Sequence, residues 1–310
     1  MKLEMSYVVV TDTFGTIRDV VRAVATQTMA SRVELVIVCP SSGELALEPL
    51  ETAGIGAVRV IEAGTVIPLS PARAVGIRAA ACDFVFVGET HSFPAPSCLE
   101  ALLVSHKSGN YAAVIPVIEN ANPKKALSWA SLMLTYRHWL EPATRANIDV
   151  LSTYNACFRR ELLAGFGDRL EMMLEYGSGL DTELRQNGGS FLIEPAARLG
   201  HLNVAALHGW LPDRFLGGRF WGAARSQHWS AARRCLYALG APLIPILTAS
   251  RALRSTQWAY HRGTMPRWTL TAVIVGAIAT AAGELTGYVA GGGRTPVTIA
   301  EYELHRTRYI

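Results

Sequence analysis

Apolar residues occur in a series of short runs through the first two thirds of the chain, and each run ends at turn-forming residues. Short apolar runs bounded in this way are typical of buried strands. The predicted strands are residues 7–10, 33–38, 57–61, 84–87, 111–117, 152–158 and 191–193. Because helical patterns separate these runs, the sequence predicts an α/β fold with a largely parallel sheet flanked by helices.

Apolar residues at helical spacing, preceded by capping residues, predict the intervening helices. Thr16 and Asp19 have the spacing of a capping box, so the first helix is predicted to run from residue 16 to about residue 27. Further helices are predicted at residues 44–53, 72–82, 97–107, 126–140 and 180–187. The aromatic bias of residues 126–140 leaves two interpretations open, a helix packed on the sheet or a wall of an acceptor site.

From residue 207 onward the pattern changes to long apolar stretches that are rich in Trp, Arg and small residues. Residues 236–249 are too short to span a bilayer, whereas residues 268–290 are long enough but include Glu284. Arginines follow the first stretch, which contradicts the positive-inside tendency for a span and favours a re-entrant or interface-lying hairpin. One true span at 268–290, or a buried hairpin of a soluble protein, are the alternatives.

Two domains are therefore predicted, an α/β domain over residues 1–206 and a helical, membrane-associated region over residues 207–310. Composition agrees with membrane contact, because half of the residues are apolar and only 17% are charged. The net charge is +4, and the basic residues cluster between Arg214 and Arg267 instead of forming a lysine-rich stripe. A membrane surface or an anionic substrate is thus expected as partner, and nucleic acid is not.

Five widely spaced cysteines without a C-x-x-C pair indicate reduced thiols, not a disulfide framework or a zinc site. The first apolar run is too short for a signal peptide, so the N-terminal domain is expected to be cytoplasmic. Nothing in the sequence determines the oligomeric state.

Glu89 and His91 are the first candidates for chemistry, because they directly follow the predicted strand at residues 84–87. In open α/β sheets, ligands bind outside the carboxyl ends of the strands. A carboxylate and an imidazole two residues apart can face one divalent cation, which would neutralise a diphosphate leaving group. The alternative is that His91 is only a hydrogen-bonded turn residue. His201, just after the last predicted strand, could complete the metal shell or could be structural.

Asp181 is the candidate general base, since it opens a predicted helix whose field favours an ionised carboxylate. Displacement of a leaving group by an acceptor hydroxyl requires such a base. The alternative is a helix-terminal carboxylate with no chemistry. Arg219, Arg225 and the Arg233–Arg234 pair could bind a diphosphate, or could extend along a membrane face.

In their order and spacing these segments resemble the family 2 glycosyltransferases, which have the GT-A fold, over roughly residues 6–205. The segments that match family motifs are Ala72-Arg73-Ala74-Val75-Gly76, Glu89-Thr90-His91 with Leu99-Glu100-Ala101-Leu102 after it, Asn155 to Arg159-Arg160, Leu180-Asp181-Thr182-Glu183-Leu184, and His201. A subset of the family is similar in carrying Glu-x-His in place of D-x-D and a membrane-apposed tail with G-E-x-x-G-Y, here Gly283 to Tyr288.

The resemblance implies a GT-A type mixed, mostly parallel sheet and a nucleotide-sugar donor. It implies roles for seven residues. The nucleotide would lie near Thr11, Asp12 and Arg73. The diphosphate and a divalent cation, Mn or Mg, would lie at Glu89 and His91, with His201 as a third ligand. Asp181 would be the base. Apart from these implied roles, Asn155, Arg219 and Arg225 are candidates for contact with the acceptor or a diphosphate.

The function that the resemblance implies is an inverting, hexosyltransferase-like enzyme of the cell envelope, attached to the membrane with its catalytic domain in the cytoplasm. It would move a sugar onto a lipid-linked or cell-surface glycan acceptor. Cys39-Pro40 stands where the family has an acidic pair, and Leu180 stands where it has Glu. These differences keep a second interpretation open, a non-catalytic scaffold or subunit of an envelope-glycan assembly complex. A third is a membrane protein with an unrelated α/β binding domain.

Overall fold

The computed structural model describes residues 2–141, 143–175 and 177–310. Nine strands form one sheet within this part of the chain: β1 Met5–Val10, β2 Val33–Cys39, β3 Ala57–Glu62, β4 Phe84–Val87, β5 Ser92–Pro94, β6 Tyr111–Asn120, β7 Ala146–Ile148, β8 Ala156–Arg159 and β9 Ser190–His201. The first seven described helices are α1 Phe14–Ala25, α2 Ser42–Leu45, α3 Leu69–Ala79, α4 Cys98–Ser108, α5 Ala126–Tyr136, α6 Arg160–Ala164 and α7 Leu170–Met173. They are followed by α8 Leu180–Gln186, α9 Leu207–Ser226, α10 Ala231–Gly240, α11 Ile244–Ser255, α12 Gln257–His261, α13 Thr269–Ala290 and α14 Thr295–Leu304.

The strand order is β3-β2-β1-β4-β8-β6-β9-β5, with β7 paired to β9. Strands β1, β2, β3 and β4 pair in parallel, whereas β8 runs antiparallel to both β4 and β6. The α/β prediction is confirmed. The sheet is mixed, as the family resemblance implied, because β8 runs antiparallel to the strands on both sides of it.

Strands β1 and β2 are buried along their whole length, which explains why they appear in the sequence as uninterrupted apolar runs. Strand β9 is much longer than the predicted residues 191–193 and ends at His201. The three-residue strands β5 and β7 were not predicted, because such short pairings carry no periodicity. Residues 44–53 form the single turn α2 and a 3₁₀ turn at Pro49–Thr52 instead of one helix.

The capping-box prediction for the first helix is wrong. Helix α1 starts at Phe14, two residues earlier, with Thr13 as its N-cap. The Asp12 carboxylate accepts hydrogen bonds from the Thr13 backbone N–H and the Thr16 hydroxyl, each at 2.8 Å. Asp12 therefore satisfies the helix start that the sequence assigned to Thr16 and Asp19.

The chain divides into two compact units, Met1–Glu119 with Ala143–Gly200, and Asn120–Pro142 with His201–Ile310. The first contains the sheet, apart from the last residues of β6 and β9. The second contains α5 and the helices from α9 to α14.

Within the second unit, α9 and α13 pack with their backbones in close approach. A Cβ atom at Gly222 would meet the Glu284 carbonyl oxygen at 2.5 Å, and one at Gly287 would meet the Arg219 carbonyl oxygen at 2.5 Å. Glycine at these positions is therefore required by the packing, as at close helix crossings in general.

Two helical segments are long and apolar enough to cross a membrane, namely Ala231–Ser255, which joins α10 to α11, and Thr269–Ala290, which is α13. Their apolar windows differ in burial, 11% for the first against 44% for the second. The first segment therefore leaves most of its apolar surface exposed.

Candidate functional site

The loop after β4 passes close to the core at Gly88. A Cβ atom at Gly88 would meet the Tyr7 hydroxyl at 2.5 Å, so only glycine lets the chain pass over the Tyr7 ring. Tyr7 is fully buried, and this burial raises the pKa of its hydroxyl far above the usual range. The loop then carries Glu89 and His91, which are 3% and 1% exposed, respectively.

The Glu89 carboxylate is oriented by two donors. Its Oε2 atom accepts hydrogen bonds from the Ser92 hydroxyl at 3.0 Å and from the Asn155 side-chain amide at 2.5 Å. The same oxygen lies 3.7 Å from His91 Nε2. Buried carboxylates with two fixed donors keep one orientation, so Glu89 presents a defined oxygen toward His91.

Glu89 and His91 fit the coordination of one divalent ion. Ligand oxygens and nitrogens lie about 2.0–2.2 Å from such an ion, which places neighbouring ligand atoms roughly 3–4 Å apart. The 3.7 Å between Glu89 Oε2 and His91 Nε2 falls in that range. Glu89 and His91 therefore lie together at the end of β4, at a distance that suits shared ligation.

Asn155 reaches Glu89 from an unusual backbone conformation. Its φ is 54°, in the left-handed region, and its backbone N–H donates to the Val87 carbonyl oxygen at 2.7 Å. Non-glycine residues with positive φ are uncommon and cluster at functional sites. The sequence suggested Asn155 as an acceptor or diphosphate contact, and the structure places its amide on Glu89.

The three residues expected near the nucleotide lie on two elements of the first unit. Thr11 directly follows β1, and its hydroxyl donates to the Thr13 carbonyl oxygen at 2.8 Å. Asp12 precedes α1 and accepts the hydrogen bonds from Thr13 and Thr16 described above. Arg73 is buried in α3, and its guanidinium carbon lies 4.9 Å from the centre of the Tyr154 ring. This contact holds the Arg73 side chain against Tyr154, which is the residue before Asn155.

Asp181 lies in the first turn of α8, as predicted, and is partly exposed. One of its carboxylate oxygens accepts a hydrogen bond from the Thr182 backbone N–H at 2.8 Å. Glu183, two residues further along the helix, forms an ion pair with Arg169 at 2.6 Å. Of the two carboxylates in this turn, Asp181 is the one without such a cation among the described residues, so it is the better candidate for a base.

His201 belongs to the second unit and is buried there. Its Nε2 atom lies 2.9 Å from the Tyr136 hydroxyl, and its Nδ1 atom lies 2.9 Å from the Asn203 amide oxygen. Burial, with the nearby Arg306, lowers the pKa of His201 to about 3, so the imidazole is neutral. A neutral imidazole is the form that ligates metals, although ligation through Nε2 would replace the bond to Tyr136.

Arg219 and Arg225 project from α9 in the second unit. The Arg219 Nε–H donates to the Gly291 carbonyl oxygen at 2.9 Å. An Arg225 N–H donates at 3.3 Å to the Tyr288 hydroxyl, which in turn donates to the Glu284 carboxylate at 2.8 Å. Sequence reasoning did not find these partners, nor Ser92 and Tyr154, because only tertiary contacts join them to the predicted residues.

A model of one protein family, described as glycosyl transferase family 2, matches residues 8–166. This range includes Arg73, Glu89, His91 and Asn155. No curated protein matches the chain.

Among solved structures, that of GalNAc-T7 with UDP, GalNAc and Mn2+ superposes with a TM-score of 0.50 and 17% identity, over 65% of this chain and 43% of that chain. The chain thus spans less than half the length of that protein, and the likeness concerns the fold alone. The structure of S. aureus TarS 1-349 in complex with UDP gives a TM-score of 0.46 and 12% identity, over 90% of each chain.

Proposed function

The chain belongs to glycosyl transferase family 2, and on that premise we propose that it transfers a sugar from a nucleotide-sugar donor to an acceptor hydroxyl. The observation that carries the proposal is the buried Glu89–His91 pair, held by Ser92 and Asn155 at the carboxyl end of β4. Ligands bind at this end of strands in open α/β sheets. GalNAc-T7 was solved with a nucleotide, a sugar and Mn2+, and the same class of donor is proposed for this chain.

At the leaving-group end of the donor, Glu89 and His91 would hold a divalent cation, Mn or Mg, with His201 as the third ligand. The neutral imidazole of His201 supports this third ligand. The ion, when bound, neutralises the diphosphate as the sugar departs. Thr11, Asp12 and Arg73 would contact the nucleotide.

At the acceptor end, Asp181 would take the proton from the attacking hydroxyl, which corresponds to an inverting mechanism. A partly exposed carboxylate in the first turn of a helix is accessible to an acceptor. The proposed acceptor is a lipid-linked or cell-surface glycan. Asn155, Arg219 and Arg225 are proposed contacts for the acceptor or a diphosphate.

We also propose that the region beyond residue 206 associates with the membrane of the cell envelope, with the catalytic domain in the cytoplasm. The exposed apolar segment Ala231–Ser255 supports this placement. Between residues 214 and 283 the sequence has nine arginines and no aspartate or glutamate. Such a segment complements an anionic lipid surface.

The test is transfer from a panel of nucleotide sugars, with and without Mn2+ or Mg2+, by full-length wild type, Asp181→Asn and Glu89→Gln. Loss of a general base is expected to lower kcat by roughly 10²–10⁴-fold in Asp181→Asn. Glu183→Gln, two residues along the same helix, is the matched control and should change kcat by less than about threefold. Absence of donor binding in calorimetry of the folded protein would contradict the proposal.

One observation favours a second function, that of a non-catalytic subunit. Cys39, in the position of the family's acidic pair, is buried, and burial raises the pKa of its thiol. The neutral thiol therefore offers no negative charge that could recognise the base of the nucleotide. Donor binding without transfer to any acceptor would favour this alternative.

A further inference from the structure

An aromatic–arginine cluster lies in the second unit, where α9 ends and α10 begins. The Arg225 guanidinium carbon is 5.2 Å from the centre of the Trp229 ring and 4.8 Å from that of Tyr237. The Arg233 guanidinium carbon is 4.4 Å and 5.9 Å from the same two rings. Two cations therefore contact the same two aromatic rings.

The two guanidinium groups are held in place without a neutralising carboxylate. Arg225 is anchored through the Tyr288 hydroxyl, which separates it from Glu284. Among the residues that the structure describes, neither Arg225 nor Arg233 forms an ion pair with Asp or Glu within 4.0 Å. Both guanidinium groups are positively charged, so an anion that reaches both gains from each.

Some N–H groups of the two arginines bond to the Tyr237 and Tyr288 hydroxyls, and stacking leaves the others available for such an anion. A guanidinium group that lies over a ring uses its face, and its N–H groups in the plane remain able to donate. Paired in-plane donors match the oxygen atoms of phosphate, which arginine binds in a bidentate manner. The cluster therefore has the chemistry of a phosphate site rather than that of a packed core.

The surroundings of the cluster indicate what carries the phosphate. Directly after Arg233, one face of the α10–α11 segment is apolar and between 51% and 81% exposed. The residues of this apolar face are Leu236, Leu239, Leu243, Ile246 and Leu247, most of them spaced three or four apart. A helix with an exposed apolar face and cations at its end is typical of binding at a lipid surface. Trp and Tyr also prefer the level of the lipid headgroups.

We propose that Arg225 and Arg233, stacked on Trp229 and Tyr237, bind a phosphate group carried by a lipid. The inference rests on the proposed function in one respect, that the apolar segment lies at a membrane. The phosphate could be that of an anionic phospholipid headgroup or the diphosphate of a lipid-linked acceptor, because both present the same oxygens to the site.

The test is vesicle flotation of the full-length protein with three compositions: phosphatidylcholine alone, phosphatidylcholine with phosphatidylglycerol, and phosphatidylcholine with a polyprenyl diphosphate. The variants are Arg225→Gln/Arg233→Gln and the matched control Arg251→Gln/Arg254→Gln, which removes the same charge from α11. Both double variants should lose the same non-specific attraction to an anionic membrane. At about 1 kcal/mol for each arginine, this weakens the affinity for the vesicles roughly 30-fold. The cluster variant is expected to lose at least about tenfold more.

A loss that extends to phosphatidylglycerol vesicles identifies a headgroup site, and a loss confined to polyprenyl diphosphate identifies a site for the acceptor. Equal losses in the two double variants, with both phosphate-bearing vesicles, would overturn the proposal. Arg225→Lys/Arg233→Lys keeps the charge and should lose most of the extra affinity, because lysine cannot stack and fork in this way. Arg233→Gln alone leaves the Tyr288 link intact and serves if the double variant is unstable.

Donor binding, measured by calorimetry on the same wild-type preparation, separates this proposal from the proposed function. If the cluster binds phosphate-bearing vesicles but the protein does not bind the donor, the lipid site is supported and the transferase proposal is contradicted. Donor binding with no difference between the cluster and control variants would do the reverse.

Discussion

At the scale of single residues, the most informative side chain is Asn155. It adopts a φ of 54° and donates to the Glu89 carboxylate, so a residue in a strained region of the backbone orients the proposed ligand. Asparagine is among the residues that tolerate this region best, because its short polar side chain hydrogen-bonds locally. Two substitutions at this position can separate the effect of its backbone conformation from the effect of its hydrogen bond to Glu89.

Asn155→Gly and Asn155→Ala both remove the donor to Glu89, but only alanine is strained at this φ. We expect Asn155→Ala to lower the free energy of unfolding by about 1 kcal/mol more than Asn155→Gly. Both variants should weaken metal-dependent donor binding about tenfold, since a hydrogen bond to a charged group is lost. Urea unfolding and calorimetry provide the two measurements. Wild-type donor affinity in both variants would show that Asn155 does not position Glu89.

His106 gives the first unit a predictable response to acid. It is fully buried, its Nε2–H donates to the Cys157 carbonyl oxygen at 2.9 Å, and burial lowers its pKa to about 4. The unfolded chain binds a proton near the ordinary histidine pKa of 6.5, whereas the folded chain does not. Stability from this group is therefore complete above pH 6.5 and is lost as the pH falls toward 4.

Between pH 6.5 and pH 5 this one histidine should lower the free energy of unfolding by about 1.5 kcal/mol. His106→Gln can retain the donor to Cys157 and cannot titrate. Between pH 6.5 and pH 5, the free energy of unfolding of this variant should therefore fall by about 1.5 kcal/mol less than that of the wild type. Urea unfolding at several pH values measures the difference. Parallel curves for the wild type and the variant would contradict the assignment.

At the scale of elements, the α9–α13 pair shows how backbone contact depends on glycine. Gly218, Gly222, Gly283 and Gly287 each face the backbone of the other helix, so that any side chain there would force the helices apart. Gly217 also lies in α9, but a Cβ atom there would meet no described atom of a neighbouring element within 4 Å, so this residue provides a matched comparison.

Gly222→Ala should lower the free energy of unfolding by about 1–3 kcal/mol, because its Cβ atom would lie 2.5 Å from the Glu284 carbonyl oxygen. Gly217→Ala should be neutral or raise it by up to about 1 kcal/mol, since alanine favours an exposed helix interior. Thermal unfolding of the two variants distinguishes packing from helix propensity. Similar shifts in both would show that the helices do not pack through Gly222.

At the scale of the whole molecule, charge and apolar exposure are unevenly distributed along the chain. The exposed apolar face of α10–α11 lies in the segment that lacks acidic residues, whereas the first unit carries ion pairs such as Arg32 with Glu4 and Arg22 with Glu51. This contrast is what one expects when one part of a protein meets a lipid surface and the other remains in water.

The double substitution Leu239→Glu/Leu243→Glu should reduce flotation with phosphatidylcholine–phosphatidylglycerol vesicles by at least about tenfold, because the two proposed apolar contacts with lipid would be lost. Both side chains are exposed in the protein, so the thermal unfolding midpoint should change little. Leu50→Glu, at a leucine of the first unit that is 91% exposed, is the control and should float like the wild type. Unchanged flotation of the double variant would contradict membrane contact through this face.

The sequence by itself determined the α/β class, most strand positions in the first half, the site of Glu89 and His91 after β4, and the apolar character of the last hundred residues. These features follow from local periodicity, since buried strands and helices impose their own spacing on apolar residues. Strand direction, the antiparallel return of β8 and the full length of β9 required the tertiary structure, because pairing partners lie far apart in sequence. The same reason explains why the Asn155 amide on Glu89, the Tyr154 ring under Arg73 and the shared rings of Arg225 and Arg233 had no signal in one sequence.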